Sequence, residues 1–405
     1  PFSSIVEGLR LPLPSNRIQP PNMKPVTTFL KQPLALTALL VSITSCGSLE
    51  PASPYLAAQP FRQYSAKADT WLLQSQQSTS LLPFIYRPSK QRVGSNKNLR
   101  VQLIAAAHLA RRAKDRTRVR SISRNQFNAI LETWPGLVSR DDAEQRASLS
   151  LGAHALWLRA LILRAETAEQ FEVADIQAAQ IKDRFDPTTG FPENLNPDRT
   201  RSPFMQRYFT GQAALALFEH GNANSIETAS LALQWLARNY PANNKDNFHP
   251  TLVPWHAFAI ATQYQLTGAS PHIATLFTMS DRLIKLQRDP EFPGRFFTED
   301  QAAYGNPNTI RDALSTLTLM TSLKIAADLG DRKRQKRYQK AIWLALDNLR
   351  SLQYDHGVVS AFDDPQSAVG ALRFNHNDEL IRLDAVVFGA AAFDQAAQLI
   401  QDGLL

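Results

Sequence analysis

Apolar residues recur at three- and four-residue spacing from about residue 67 to the C-terminus, in segments separated by Pro, Gly and Asn turns. This spacing predicts helices, since about 3.6 residues complete one helical turn, and almost no alternating strand pattern is present. The pattern predicts twelve helices in six antiparallel pairs, centred on Trp71, Ala105, Ile130, Leu156, Ala174, Ala214, Leu233, Ala261, Leu283, Leu317, Leu344 and Val387. The chain is therefore expected to be all-α.

The predicted helices alternate between two kinds. One kind is polar and often ends in Leu or Ile near a Gln, followed by a turn that contains Gly, as in residues 180–191, 286–296 and 352–358. The other kind is rich in Ala, Gly and Leu, as in VQLIAAAHLA, LGAHALWLRAL, GQAALALF, AFAIATQY and VVFGAAAF. Because small residues allow close packing, we expect the second kind to form an inner ring and the first an outer one.

Residues 375–393, NHNDELIRLDAVVFGAAAF, join a polar cluster directly to an apolar segment with small residues. We expect a helix whose polar N-terminal end faces the opening of a cavity and whose body packs against neighbouring helices. Arg382 and Asp384 are expected in its first turns.

The N-terminal part of the chain resembles a bacterial lipoprotein signal. Residues 23–46 read MKPVTTFLKQPLALTALLVSITSC, in which lysines precede an apolar run that is too short to span a bilayer. The run ends in Ile-Thr-Ser-Cys, which is similar to a lipobox, and Cys46 is the only cysteine of the protein. We expect lipid attachment at Cys46 and a cell-envelope location, on the outer membrane or a membrane facing the periplasm. An ordinary secretory peptide or a signal anchor remains the alternative.

Four segments are expected on this basis. They are residues 1–22 upstream of the true start, 23–45 as the signal peptide, 46–66 as a polar, Pro-rich tether, and 67–405 as the helical domain.

Two motifs carry a resemblance to a known architecture. Residues 208–213, YFTGQA, are similar to a tyrosine-aromatic-x-Gly-Glu-Ala turn, and residues 381–384, IRLD, to the last-helix segment of the same proteins. Together with six helical pairs, they make residues 71–393 resemble the (α/α)6 toroids of six-hairpin glycosidases, glucuronyl C5-epimerase-like domains and terpenoid cyclase-like proteins. Gln212 stands where the family motif has Glu, and Val387-Phe388 where a Gln-His pair is expected.

In such a toroid the N-terminal ends of the inner helices converge on one face, so residues there are the site candidates. Glycoside hydrolysis needs two carboxylates across a cleft, whereas uronate elimination or epimerisation needs a proton-transfer group near an arginine. The candidate catalytic residues are Asp312, Asp378, Glu379, Asp384, Tyr208 and His376.

Arginines recur near the starts of four predicted inner helices, where a planar guanidinium suits the carboxylate of an acidic sugar. The candidate substrate-binding residues are Arg100, Arg207, Arg311, Arg382, Trp255, His256 and Tyr304. The alternative is structural: Arg311 pairs with Asp312, Arg382 pairs with Glu379, or Asp384 holds Arg382.

Composition limits the remaining possibilities. The formal charge is +8, without a basic stripe interleaved with aromatic residues, so no nucleic-acid partner is expected. Metal-ligand spacings and Gly-rich phosphate loops are lacking in the sequence, so we expect neither metal nor cofactor, and a monomer. Two hypotheses stay open. The protein is an envelope glycosidase, lyase or epimerase acting on an acidic polysaccharide, or it is a non-catalytic glycan-binding or scaffold toroid.

Overall fold

A computed structural model describes residues 54–113, 117–137, 149–165, 167–192, 202–297 and 304–405. These residues form twelve long helices, and every predicted helix centre lies in one of them. The helices are α1 Pro54–Gln74, α2 Leu99–Arg112, α3 Thr117–Thr133, α4 Leu151–Arg164, α5 Ala168–Lys182, α6 Pro203–His220, α7 Ala223–Asn239, α8 Val253–Thr267, α9 Ile273–Lys285, α10 Thr309–Asp328, α11 Arg332–Leu352 and α12 Leu383–Gln401.

The even-numbered helices form a closed inner ring. Each packs against the next along the chain, and α12 contacts α2. The odd-numbered helices lie outside this ring, α1 against α12 and each of the others against the inner helix it pairs with. This arrangement confirms the predicted (α/α)6 toroid.

Small residues let the inner helices approach closely. A Cβ atom at Gly211 of α6 would lie 2.4 Å from His256 Cδ2 on α8, and one at Gly152 of α4 would lie 2.3 Å from Phe209 Cδ1 on α6. Helix α12 is long and apolar enough to cross a membrane, but 72% of its most apolar window is buried inside the protein. It is therefore the core helix that its Ala- and Gly-rich sequence predicted.

The Gln-then-Gly pattern forms a repeated joint between neighbouring hairpins. Gln287 Nε2 donates to the carbonyls of Gly294 (3.1 Å) and of a residue in the next outer helix, α11 (2.9 Å). Gln353 Nε2 likewise donates to the carbonyls of Gly370 (2.8 Å) and of a residue in α1 (2.9 Å). Both glycines have positive φ, 95° and 88°, which only glycine adopts readily. The partner of Gln353 is thus Gly370, beyond the predicted turn at residues 352–358.

A small antiparallel sheet corrects the expectation of an all-helical path. Its strands are β1 Ile85–Arg87, β2 Arg92–Val93, β3 Arg373–Asn375 and β4 Asp378–Arg382, in the order β2-β1-β4-β3. The polar cluster predicted to open the last helix is therefore a β-hairpin, and the helix begins only at Leu383. Strands this short carry little periodicity, and their pairing joins segments nearly 300 residues apart.

The helical domain also begins earlier than predicted. Helix α1 starts at Pro54, inside the stretch expected to be a tether, and Ala58 packs against Ala397 and Ile400 of α12. Cys46 and the segments 1–22 and 23–45 lie outside the described residues.

Candidate functional site

The two ends of the ring differ in the length of their connections. Outer helices lead into inner helices through long segments, such as residues 75–98 and 353–382. Inner helices lead back out through short turns, such as residues 221–222 and 329–331. We call these the long-loop end and the short-turn end. The long-loop end carries the N-terminal ends of the inner helices and, with them, the predicted site residues.

Arg100, in the first turn of α2, lies over two aromatic rings at the long-loop end. Its guanidinium carbon is 5.0 Å from the ring centroid of Tyr208 and 4.9 Å from that of Phe209. Arg100 makes no hydrogen bond or ion pair with any described residue. The guanidinium is therefore held in place by cation–π contacts while its donors remain available to a ligand.

Tyr208 belongs to a cluster of aromatic rings from α6, α8 and the loops beside them. Its ring packs parallel to Phe204 at 6.3 Å and edge-on to Trp255 at 6.2 Å. His249 contacts both Phe204 (4.8 Å) and Tyr304 (5.0 Å). Trp255 is only 2% exposed and belongs to the core, whereas Tyr208 and Tyr304 are partly exposed. Phe204 and His249 are also partly exposed, so these four rings can meet a sugar.

Two of the four predicted arginines hold loops. Arg207 donates to the carbonyl of Asn247, and Arg311 donates to the carbonyls of Tyr304 and Gly305. The side chain of Arg311 is turned to these carbonyls and makes no ion pair with Asp312 in the part of the chain described. Both arginines position the backbone around the aromatic cluster.

Arg382 and Asp384 form a bidentate ion pair where β4 runs into α12. Arg382 Nε lies 3.1 Å from one carboxylate oxygen of Asp384, and Arg382 Nη2 lies 2.7 Å from the other. Burial raises the pKa of Asp384, which is 6% exposed, and the neighbouring guanidinium opposes that rise. Glu379 instead accepts a hydrogen bond from Ser89 Oγ at 2.5 Å. Of the expected structural pairings, Asp384 with Arg382 is the one that forms.

Asp312 is a buried acid connected to His376 through an asparagine. It is 1% exposed and accepts hydrogen bonds from the Phe296 N–H (2.9 Å) and Asn348 Nδ2 (3.0 Å). Burial raises the pKa of Asp312 to about 6. His376, whose pKa burial lowers to about 4, donates from Nε2 to Asn348 Oδ1 at 2.8 Å. Asn348 lies on an outer helix, so no inner-ring motif points to it.

Asp378 completes the set of candidate acids. It accepts from the Leu380 N–H (2.9 Å) and lies 3.4 Å from Arg87 Nη1. Each of the four predicted carboxylates is therefore engaged by protein donors.

His256 joins two inner helices at the long-loop end. Its Nε2 donates to the Arg207 carbonyl at 3.0 Å, and burial lowers its pKa to about 4, so the ring is neutral at pH 7. Among the described residues, no three His, Cys, Asp or Glu side chains converge as metal ligands would.

Several buried polar atoms of the inner helices have no hydrogen-bond partner among the described residues. They include both amide atoms of Gln212, Trp255 Nε1 and Arg100 Nε. An unpaired buried polar atom costs about 1–3 kcal/mol, and a polar ligand is one means of satisfying it. Gln212 stands at the motif position where the resembled proteins have Glu.

No protein-family model matches the chain, and no curated protein matches it in sequence. Solved structures of carbohydrate-acting enzymes do match in fold. A D-mannose isomerase aligns with TM-score 0.64 and 11% identity over 86% of this chain and 99% of that one. An unsaturated glucuronyl hydrolase specific for heparin gives 0.58 and 11% (84% and 97%). The α-1,6-mannanase GH76A of Salegentibacter sp. HEL1_6 gives 0.59 and 12% (84% and 99%). These similarities show that the chain has the six-hairpin (α/α)6 toroid fold.

Proposed function

We propose that this protein binds an acidic polysaccharide at the long-loop end of the toroid. One observation carries the proposal: the guanidinium of Arg100 lies over the rings of Tyr208 and Phe209, and its donors are unpaired among the residues described. A planar guanidinium beside partly exposed tyrosine rings suits a uronic acid, since the carboxylate meets the guanidinium and the sugar face meets a ring. The similarity in fold to a glucuronyl hydrolase and to a mannanase supports a carbohydrate ligand.

Binding is favoured over hydrolysis by the state of the candidate acids. A glycosidase needs one carboxyl group that donates a proton and another that acts as base or nucleophile, both facing the substrate. Two of the four candidates, Asp312 and Asp384, are 1% and 6% exposed, and protein donors engage all four. Gln212, in place of the motif's Glu, cannot exchange a proton at neutral pH.

The test is to titrate the purified protein with polygalacturonate, alginate and heparin, and with neutral dextran and mannan. We expect saturable binding of the polyuronates, at least tenfold weaker in Arg100→Gln. Lys97→Gln is the matched control, because it removes the same charge from an exposed residue three positions away. Equal binding of neutral polymers, or wild-type binding by Arg100→Gln, would refute the proposal.

Uronate elimination is the second candidate, supported by the contact between Arg100 and Tyr208. In that reaction an arginine neutralises the substrate carboxylate and a base, a role open to Tyr208, takes the proton from C5. The C4–C5 double bond then forms as the C4–O glycosidic bond breaks, and the leaving oxygen takes up a proton. Elimination leaves an unsaturated uronate that absorbs in the ultraviolet. Product formation that Tyr208→Phe abolishes without weakening binding would establish this activity, whereas binding without product would dismiss it.

We also propose that Cys46 carries a lipid that anchors the protein to the cell envelope, where it acts as a monomer. The lipobox-like segment before this single cysteine supports the proposal. Labelled palmitate should enter the wild-type protein in a bacterial host and not Cys46→Ala, which should leave the membrane fraction. Light scattering of that variant tests the monomer.

A further inference from the structure

The short-turn end of the toroid opens into a cavity of about 430 Å³. The inner helices alone line it, mostly through their C-terminal halves. Its apolar lining includes Leu156, Leu215, Trp255, Leu317 and Phe388. Trp255 contacts Phe388 on this side and Tyr208 of the long-loop end on the other, so these rings lie between the two ends.

Charged side chains surround the cavity nearer its mouth, and two of the arginines are compensated. Arg159 makes a bidentate ion pair with Glu219 at 2.5 and 2.8 Å. Arg112 binds Asp394 at 2.7 Å and the buried Asp69, behind it, at 2.7 Å. These carboxylates are thus already occupied by guanidinium groups.

Two further cations line the same cavity, Arg111 of α2 and Lys324 of α10. Neither makes an ion pair or hydrogen bond with any residue that the structure describes. The helix C-termini offer partial negative charge, but carbonyl dipoles satisfy a crowded guanidinium less completely than an anion does.

We propose that this cavity is a second binding site, distinct from the long-loop end, that takes a small hydroxylated carboxylate of the uronic-acid class. Arg111 and Lys324 are the partners for the carboxylate. Thr321, Gln265 and Gln395, which line the same cavity, offer hydroxyl and amide groups to sugar hydroxyls. The partly exposed ring of Phe388 meets the apolar face of the sugar. No residue that the proposed polysaccharide site uses to bind its ligand is needed here.

Calorimetric titration of the Arg100→Gln protein with glucuronate tests this site while binding at the long-loop end is weakened at least tenfold. We expect one saturable site, at least tenfold weaker when Arg111→Gln and Lys324→Gln are added. Glucose, the neutral counterpart, and inorganic phosphate, an anion without a sugar ring, should bind at least tenfold more weakly than glucuronate. Arg111 is exposed and Lys324 partly so, and neither is paired within the described chain, so the melting temperature should change little.

Three outcomes would overturn the inference. They are no saturable glucuronate binding in the Arg100→Gln protein, binding unchanged by the two added substitutions, and phosphate or glucose binding as tightly as glucuronate. Loss of polysaccharide binding in Arg100→Gln with retention of this site would show that the two ends act separately. That result keeps the second site even if the polysaccharide proposal fails for other reasons.

Discussion

The guanidinium carbon of Arg100, in the first turn of α2, lies 5.0 Å from the ring centroid of Tyr208, in the second turn of α6, and α4 lies between these two helices in the inner ring. The contact fixes a cation at the long-loop end without using its hydrogen-bond donors. Arg207, Arg311 and Arg382, in contrast, bind carbonyls or a carboxylate of the protein itself. One arginine of the four is thus free for a ligand among the residues described.

Replacing Arg100 with Lys tests whether ligand binding depends on the planar shape of the guanidinium as well as on its charge. Lysine keeps the positive charge but loses the planar fork and stacks less well on Tyr208, so we expect polyuronate binding to weaken about tenfold. Titration at two salt concentrations measures it. Lys97→Arg serves as the control and should bind as the wild type does. Undiminished affinity in Arg100→Lys would mean that the site reads charge alone.

The pair of Arg382 and Asp384 predicts a stability effect instead of a binding effect. In Arg382→Gln the buried carboxylate of Asp384 loses its bidentate partner, which costs on the order of 3 kcal/mol when such a pair is broken. Urea denaturation at pH 7 measures the loss. Arg382→Gln combined with Asp384→Asn should recover part of it, because no buried charge then remains. A single variant as stable as the wild type would contradict this account.

The helices could be predicted from the sequence because each one buries a wide apolar surface at a 3.6-residue period. The sheet could not be predicted in this way. Strand β1 pairs with β4, which lies nearly 300 residues later in the sequence, over two residue pairs. So short a pairing leaves no periodic pattern in the sequence. The sequence pattern therefore predicts a helix over residues 375–382, whereas the structure has a β-hairpin there and the helix begins at Leu383.

The location of the candidate site residues could be predicted from the sequence, but their hydrogen bonds and ion pairs could not. Helix starts identified Arg100 and Tyr208, because the inner helices of a toroid all point their N-termini at one face. Which arginine remains free depends on loop carbonyls, such as that of Asn247, whose location no local pattern gives. The carboxylates of Asp312 and Asp384 lie at the long-loop end, but burial and hydrogen bonding set their chemistry, and both depend on distant chain segments.

The close packing between α6 and α8 predicts that a single added methyl group lowers the free energy of unfolding. A Cβ at Gly211 would lie 2.4 Å from His256 Cδ2 and 3.1 Å from Trp255 Cβ, so Gly211→Ala should destabilise the protein by about 1–3 kcal/mol. Gly357→Ala is the control, since its Cβ would meet nothing nearer than 3.4 Å. Thermal unfolding of both variants decides the matter. Equal melting temperatures would show that α6 and α8 can separate without cost.

Buried histidines predict that acid destabilises the fold. Burial lowers the pKa of His249, His256 and His376 to about 4, against an ordinary value of 6.5. Between these values the unfolded chain binds more protons than the folded one, so stability falls as the pH falls from about 6.5 to 4. Each histidine contributes about 1.4 kcal/mol per pH unit to that slope. Urea denaturation between pH 7 and pH 4.5 measures it.

Two substitutions identify the groups responsible for the acid loss. His256→Gln keeps a donor for the Arg207 carbonyl and removes one titrating ring, so the slope should decrease by about 1.4 kcal/mol per pH unit. Asp312 acts in the opposite direction, because its pKa is raised to about 6 and its protonation in the folded state adds stability below that pH. Asp312→Asn should therefore steepen the acid loss. If His256→Gln leaves the slope unchanged, the imidazole titrates alike in the folded and unfolded chains, and its burial does not govern the response to acid.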